Sequence, residues 1–310
     1  MARPGTESPL AKTSFSGTPP PKLAPRTVSS FPAEVEHAPL LFEASKVRAG
    51  RVDRISVGVK DSQGGSVPGF LHLPHGFASD SSDTAASKTA VILLSGAGGG
   101  VTGPSGIYLS IADKLSSIAH LAIPALRLDY RYPARNKYCC ADVMAAMDHL
   151  TAAYPDHISR FVLVGWSFGG APVLTVGGSD QRVIGCATIA SQTAETEGVT
   201  SLPPRPLLLL HGTGDRTLSP ICSKRLYEWY GSKGDRQLKL YDGDDHALTR
   251  NSKEAEEMIV RFIARCAGVR MNELDAEERK VLDDSLIGNV KEAVEVMKKG
   301  GDLDGQERLK

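Results

Sequence analysis

The stretch that decides the fold is 161-FVLVGWSFGGAPVL-174, in which an apolar run leads into a glycine-flanked serine and then into a second apolar segment. The run 161–164 predicts a buried strand, and the residues from 170 onward predict a helix. Between them, 165–169 has the pattern Gly-x-Ser-x-Gly. A serine there lies at the tip of a sharp turn, and Gly165 and Gly169 are needed because their backbones pass close to each other. The sequence therefore predicts an exposed Ser167 between a strand and a helix.

Outward from this stretch, strand-like runs alternate with helical patterns. The run 90–94 (AVILL) is continuously apolar, which is typical of a strand buried on both faces. Repeated strand–helix units predict an α/β fold, with a mostly parallel eight-stranded sheet covered by helices on both faces. The strands are expected at 51–59, 69–73, 90–94, 121–128, 161–164, 183–190, 206–210 and 237–241.

Composition divides the chain into three parts. Residues 1–40 are rich in proline and serine and lack apolar periodicity, so we predict a disordered N-terminal extension. Residues 41–268 hold the strand–helix pattern and form the predicted α/β domain. Residues 269–310 form a charged helical C-terminal tail, with apolar residues such as Val281, Leu282 and Leu286 at helical spacing. The sequence leaves open whether this tail packs on the core or on another chain.

Charge and cysteine content narrow the class of protein. Lys and Arg balance Asp and Glu at 36 each, so there is no basic footprint for nucleic acid. No apolar run reaches the roughly 18 residues of a membrane-spanning helix, so no membrane span is expected. The spacing of the cysteines does not suit zinc, and we predict reduced thiols in a cytoplasmic protein without a metal or other cofactor. The cysteines are Cys139, Cys140, Cys186, Cys222 and Cys266.

A serine hydroxyl is a weak nucleophile that needs an adjacent base, and the base needs an orienting acid. Asp215 follows the predicted strand 206–210, and His246 follows the strand 237–241. Because parallel strands end at the same edge of a sheet, both side chains are expected near Ser167. The chain order Ser, Asp, His is the one found with this serine motif in strand–helix folds.

Other residues compete for these roles. Asp242, Asp244 and Asp245 are rival acids, although they are too close in sequence to His246 to orient it easily. His211 is a rival base at the end of the strand 206–210. The alternative for Asp215 is a turn or capping residue without chemistry.

Four motifs together give the chain a resemblance to a known family. They are SGAGGG (95–100), GWSFGG (165–170), HGTGD (211–215) and GDDH (243–246). Over 52–264 the chain resembles the α/β-hydrolase superfamily, and within it the branch of dienelactone-hydrolase-like small serine esterases. The resemblance implies that Ser167 is the nucleophile, His246 the general base and acid, and Asp215 its orienter. Only 191–205 separates two strands where many such enzymes insert a cap, so no large cap domain is expected.

The resemblance also implies an oxyanion hole made by two backbone amides. One belongs to Phe168, directly after the nucleophile. The other comes from the loop after the strand 90–94, where Ala97 is the first candidate and Gly98 the second. Glycines suit this loop because the amides must come within about 3 Å of the oxyanion.

The segment 127-RLDYRYP-133 should reach the same sheet edge as Ser167. Arg131 or Tyr132 is a candidate for contact with an anionic or aromatic group of the substrate. The alternative is that Asp129 and Arg131 pair and stabilise the loop. Trp166, beside the nucleophile, is a candidate wall of the substrate pocket or a core residue.

These residues predict acyl transfer from a small ester-type molecule to water through an acyl-enzyme. An acyl-thioesterase or a serine peptidase would use the same triad. A third alternative is a catalytically silent scaffold for protein interaction, since the chain also resembles hydrolase-like domains of some chromatin-associated proteins. The oligomeric state is left open.

Overall fold

A computed structural model describes residues 50–78 and 87–284. Its eight strands form one sheet in the order β1-β2-β4-β3-β5-β6-β7-β8. β2 pairs antiparallel with both of its neighbours, and all other neighbouring strands are parallel. The eight-stranded, mostly parallel sheet is therefore confirmed. The strands are β1 (Arg51–Gly58), β2 (Ser66–Leu73), β3 (Thr89–Leu94), β4 (Ala125–Leu128), β5 (Arg160–Trp166), β6 (Val183–Ile189), β7 (Leu207–Gly212) and β8 (Arg236–Tyr241).

The sheet has a hydrophobic cluster on each face. One cluster packs against α2, α3 and α4, and the other against α1, α5 and α6. In β5, Phe161 and Leu163 belong to the first cluster, whereas Val162 and Val164 belong to the second. This explains why the run 161–164 is apolar at every position. The helices are α1 (Ile107–Ser117), α2 (Asn136–Ala153), α3 (Gly170–Ser179), α4 (Ile221–Tyr230), α5 (Ser252–Ala267) and α6 (Ala276–Asp283).

The predicted strand 121–128 is shorter in the structure, where β4 covers only its second half. The amides of Leu121 and Ala122 donate to the carbonyl of Ile118, and the amide of Ile123 donates to Leu115. Leu121 and Ile123 are buried, so they contribute to the core from a turn rather than from a strand. Apolar side chains thus gave the segment a strand-like pattern, although its backbone turns and bonds back to the end of α1.

The connection after β6 contains only a short 3₁₀ helix, Glu197–Ser201. No cap domain is present among the described residues, as predicted. None of the helices in the described ranges is both long and apolar enough to cross a bilayer.

The first part of the C-terminal tail packs on the core. Leu274 and Leu282 are buried in the same cluster as α1 and α5. Lys114 on α1 donates through Nζ to the carbonyl of Leu282 at 2.8 Å and pairs with Glu256 on α5 at 2.5 Å. A lysine at a helix C-terminus satisfies a carbonyl that lacks an intrahelical partner. The predicted extension 1–40 and the tail beyond 284 lie outside the described residues.

Candidate active site

Ser167 lies at a strained turn between β5 and α3. Its φ angle is 56°, in the left-handed region that non-glycine residues rarely adopt. A Cβ on Gly165 would collide with the backbone of Gly169, and one on Gly169 would lie 2.6 Å from the carbonyl oxygens of Leu94 and Ser95. The two motif glycines therefore allow the helix to start directly against the ends of β3 and β5. This geometry is the strand–turn–helix arrangement that the motif predicts.

Asp215 and His246 meet at the same edge of the sheet. His246 Nδ1 lies 2.7 Å from Asp215 Oδ2, and the Asp215 side chain is fully buried. A carboxylate only accepts hydrogen bonds, so Nδ1 carries the proton in this pair. In the neutral imidazole, Nε2 is then the nitrogen with a free lone pair. His246 is thus oriented as a base by an acid from the neighbouring strand end.

The Asp215 carboxylate is held by further donors. Oδ1 accepts hydrogen bonds from the amides of Thr217 at 2.7 Å and Leu218 at 2.9 Å, and Oδ2 also lies 3.1 Å from His211 Nε2. Burial alone would raise the pKa of Asp215, but the hydrogen bonds from His211, His246 and the Leu218 amide outweigh it. The pKa of Asp215 is consequently well below its usual range. The group stays ionised at neutral pH.

His211, the rival base in the sequence, does not have the contacts expected of a general base. Its Nε2 lies 3.1 Å from Asp215 Oδ2 and 3.0 Å from the carbonyl oxygen of Leu218, both of which only accept hydrogen bonds. Nε2 must therefore carry a proton, while Nδ1 faces the hydroxyl of Ser223 at 2.7 Å. His211 is fully buried. It supports Asp215 through the contact with Oδ2, which agrees with the structural role that the resemblance implies for a histidine at this strand end.

The three rival acids accept hydrogen bonds that stabilise the loop carrying His246. The buried carboxylate of Asp244 accepts hydrogen bonds from the amides of Arg250 at 3.1 Å and Asn251 at 3.0 Å. Asp245 accepts from the amides of Ala247 and Thr249, each at 3.0 Å. Asp242 accepts from the hydroxyl of Thr213 at 3.1 Å. None of these contacts involves the imidazole, so Asp215 alone is the described carboxylate that contacts it.

The candidate oxyanion loop forms a tight turn beside Ser167. The carbonyl of Gly96 accepts from the amide of Gly99 at 3.0 Å, which closes a turn around Ala97 and Gly98. Both residues are exposed, and within the described part of the chain their amides donate to no other group. A Cβ on Gly96 would lie 3.4 Å from the Cβ of Ser167, so the loop starts in contact with the serine.

Buried side chains fix where this loop begins and ends. The hydroxyl of Tyr108 donates to the Leu94 carbonyl at 3.0 Å, and that of Tyr130 donates to the Ser95 carbonyl at 2.9 Å. Asp129 Oδ1 accepts from the amide of Gly100 at 2.7 Å. The other candidate donor, Phe168, lies in the first turn after β5, where amides have no partner within the helix.

Trp166 joins the serine turn to the histidine loop. Its indole Nε1 donates to the main-chain carbonyl of His246 at 3.0 Å. The two rings lie with centroids 5.5 Å apart. The hydroxyl of Ser167 itself donates no hydrogen bond to His246 in the structure, and such bonds often form fully only when substrate binds.

Arg131 is not at the surface of the site, which corrects the expectation of a substrate contact. The side chain is completely buried and its guanidinium pairs with Asp61 at 2.7 Å and with Asp142. It also donates to the carbonyl of Gly64. These contacts tie the β1–β2 turn to α2, so the arginine supports the fold. The carboxylates that pair with its guanidinium, Asp61 and Asp142, are remote in sequence, whereas the sequence suggested the neighbouring Asp129.

Tyr132 is also buried, with 4% of its surface exposed. Its ring packs against Tyr138 at a centroid distance of 5.0 Å and lies near the Arg131 guanidinium. This packing leaves little of the ring for a substrate. Trp166 is half-buried and is the predicted substrate-contact residue that lies beside His246.

We expect the Arg131→Met variant to lose about 3–5 kcal/mol of unfolding free energy, the usual cost of removing one partner of a buried ion pair. Burial raises the pKa of Asp142 to about 6, so this carboxylate would be left in an unfavourable environment. Urea denaturation measures the loss. The matched control is Arg182→Met, which breaks half-exposed pairs with Asp180 and Asp148 and should cost about 0–1 kcal/mol. Equal stabilities of the two variants would contradict the structural role of Arg131.

Comparison with known proteins places this geometry in a wider group. No family model and no curated protein matches the sequence. Among solved structures, an esterase domain from Rhodothermus marinus is 18% identical, with a TM-score of 0.52, over 69% of this chain and 98% of that one. A Pyrococcus furiosus esterase is 15% identical, with a TM-score of 0.57, over 71% of this chain and 92% of the other.

A third similar structure is described as an α/β serine hydrolase without a lid, from Xanthomonas campestris. It is 16% identical, with a TM-score of 0.51, and the match covers 69% of this chain and 94% of that one. At such identities the likeness concerns the fold. The strand order, the mostly parallel sheet with helices on both faces and these neighbours together establish that the chain has the α/β-hydrolase fold.

Proposed function

We propose that this protein is a serine hydrolase that cleaves a small ester-type substrate through an acyl-enzyme. Ser167 is the nucleophile, His246 the general base and acid, and Asp215 the residue that orients His246. The observation that carries the proposal is the 2.7 Å contact between His246 Nδ1 and the buried Asp215, at the sheet edge where Ser167 occupies its strained turn. The esterases among the structural neighbours support the same reaction class.

In the first half of the reaction, His246 Nε2 takes the proton of Ser167 Oγ as the oxygen attacks the ester carbonyl carbon. The electron pair of the carbonyl moves to its oxygen, which becomes an oxyanion. The amides of Phe168 and Ala97 donate to that oxyanion, with Gly98 as the second candidate in the loop. When the carbonyl reforms, the bond to the alkoxy group breaks, and His246 gives its proton to the leaving alcohol.

In the second half, a water molecule replaces the serine as the nucleophile. His246 Nε2 takes a proton from this water, which attacks the acyl-enzyme carbonyl and forms a second oxyanion at the same amides. Collapse breaks the bond to Ser167 Oγ, and the proton returns from His246 to the serine. The ionised Asp215 stabilises the imidazolium that exists in both halves.

The absence of a cap domain among the described residues is the feature that bears on the substrate. The connection after β6, residues 190–206, holds only a 3₁₀ turn. Such a site favours a small acyl substrate over a long chain that needs an enclosed apolar tunnel. The same groups would attack a thioester or a peptide bond. The experiment must therefore determine whether the leaving group is an alcohol, a thiol or an amine.

Three substrates with one acyl group separate these alternatives. We expect the wild-type protein to hydrolyse p-nitrophenyl butyrate faster than a butyryl thioester, and the butyryl p-nitroanilide slowest. A fluorophosphonate probe should label the folded protein and not heat-denatured protein. Faster turnover of the thioester or the anilide would reassign the leaving group. A folded protein that neither labels nor turns over any of the three would support the silent-scaffold alternative.

A further inference from the structure

Trp166 makes two contacts with the histidine loop that a wall of the substrate pocket does not need. The indole N–H donates to the His246 carbonyl at 3.0 Å, and the indole ring lies 5.5 Å from the imidazole at an interplanar angle of 43°. Trp166 is also covalently joined to Ser167. One side chain therefore connects the backbone of the proposed nucleophile to both the backbone and the ring of the proposed base.

The loop between β8 and α5 needs such a connection because its own hydrogen bonds are mostly internal. Asp244 and Asp245 fold it upon itself, as described above. Two side chains from other elements donate to consecutive carbonyls of this loop. The indole N–H of Trp166 donates to the His246 carbonyl, and the hydroxyl of Ser105 donates to the Ala247 carbonyl at 2.9 Å. The main chain of His246 is thus fixed relative to the serine turn.

The ring contact has a second consequence for the reaction. A cation near the face of a tryptophan ring is stabilised by the ring quadrupole when it lies within about 6 Å of the centroid. His246 becomes such a cation each time it takes a proton from Ser167 or from water. The nearby charged groups are Asp215 at Nδ1 and, on the same loop, Asp244 and Asp245, which are engaged with donors. The indole ring, 5.5 Å from the imidazole, is a further neighbour of the imidazolium besides these carboxylates.

We propose that Trp166 is a positioning residue for His246: its N–H fixes the histidine backbone and its ring steadies the imidazolium. The proposal rests on the proposed function of His246 as the base. It replaces the expectation that Trp166 serves as a substrate contact. A residue that positions the base acts on every substrate alike, whereas a pocket wall discriminates between acyl groups.

The kinetic test uses the Trp166→Phe variant, which keeps an aromatic ring and removes the N–H. We expect kcat to fall on the order of tenfold, as for small misplacements of a catalytic group, with KM unchanged. The loss should be the same for p-nitrophenyl acetate and p-nitrophenyl butyrate. The control is Trp229→Phe, which alters the other tryptophan, half-exposed on α4, and should retain wild-type kinetics. A raised KM for one ester with unchanged kcat would overturn the proposal.

A fluorescence test is independent of turnover. The chain has two tryptophans, so Trp166 is the single emitter in the Trp229→Phe variant. The imidazole of His246 is the ring that faces this indole. We expect the emission of the Trp229→Phe variant to change when His246→Gln is added, because the substitution removes that ring.

The two measurements separate the failure of this proposal from the failure of the proposed function. If wild-type protein is inactive but Trp166 emission follows His246, the contact holds and the hydrolase function is rejected. If the protein is active but the emission is unchanged by His246→Gln, the positioning role is rejected.

Discussion

The Ser167→Ala variant is expected to lose roughly 10⁶-fold of kcat on p-nitrophenyl esters, a loss of the size seen when the nucleophile of a serine triad is removed. The reason is local. Without the hydroxyl, His246 has no nucleophile to activate, and only the amides of the oxyanion hole and substrate binding are left. The variant should also fail to react with a fluorophosphonate probe. Steady-state kinetics and gel fluorescence measure both effects.

Ser191→Ala is the matched control for this variant. Ser191 lies two residues after the end of β6, at the same sheet edge, and its hydroxyl donates to the carbonyl of Gln192 rather than to any candidate site residue. We expect near wild-type turnover and labelling from this protein. Circular dichroism of both variants checks that the fold is intact. Turnover by folded Ser167→Ala at even a hundredth of the wild-type rate would exclude Ser167 as the nucleophile.

The serine turn was predictable because all of its determinants are contiguous in sequence. The apolar run 161–164 indicates a strand buried on both faces, and the glycines two positions from Ser167 indicate backbones in close contact. The structure adds only the partners of that contact, the carbonyls at the end of β3. The meeting of Asp215 and His246 was predictable for a similar reason, since both directly follow parallel strands that end at one edge.

Arg131 was beyond sequence reasoning because its partners are remote. Asp61 lies in the β1–β2 turn and Asp142 lies on α2, whereas the sequence offered only the neighbouring Asp129. The direction of a side chain after a strand depends on which elements pack beside it. The local sequence around an arginine is the same whether its side chain is buried between two carboxylates or exposed near a substrate.

The protonation of His211 likewise depends on three-dimensional surroundings. Its motif places a histidine at the end of β7, which fits a base as well as a support. The supporting role follows from the contacts of the two ring nitrogens: Nε2 contacts the Leu218 carbonyl, and Nδ1 contacts the Ser223 hydroxyl. The docking of α6 depends in the same way on the buried Lys114, a residue that the sequence places on a helix without indicating its partner.

The Asp215→Asn variant is expected to lose about 10⁴-fold of kcat while keeping the fold, as the corresponding change does in other serine triads. An asparagine amide can present its NH₂ group to His246 Nδ1, which stabilises the tautomer with the proton on Nε2. That tautomer cannot accept the proton of Ser167. The loss should appear in kcat on p-nitrophenyl acetate and in the rate of phosphonate labelling, with little change in KM.

The pH dependence of stability gives this variant a second, independent signature. A carboxylate with a lowered pKa in the folded state contributes stability that is complete above its unfolded pKa of about 3.9 and is lost as the pH falls through the folded value. The wild-type protein should therefore lose this contribution only in acid, and Asp215→Asn should lack that part of the acid sensitivity. Urea denaturation across the acidic range measures the difference.

Asp242→Asn is the control that separates the role of Asp215 from a general effect of charge at this edge. Asp242 lies one strand away at the end of β8 and accepts a hydrogen bond from Thr213, without contact to the imidazole. Both substitutions remove one negative charge near His246. If charge alone mattered, the two variants would lose activity to similar extents. A large loss confined to Asp215→Asn means that the acid acts through its own contacts, among them the one with His246 Nδ1, and not through its charge alone.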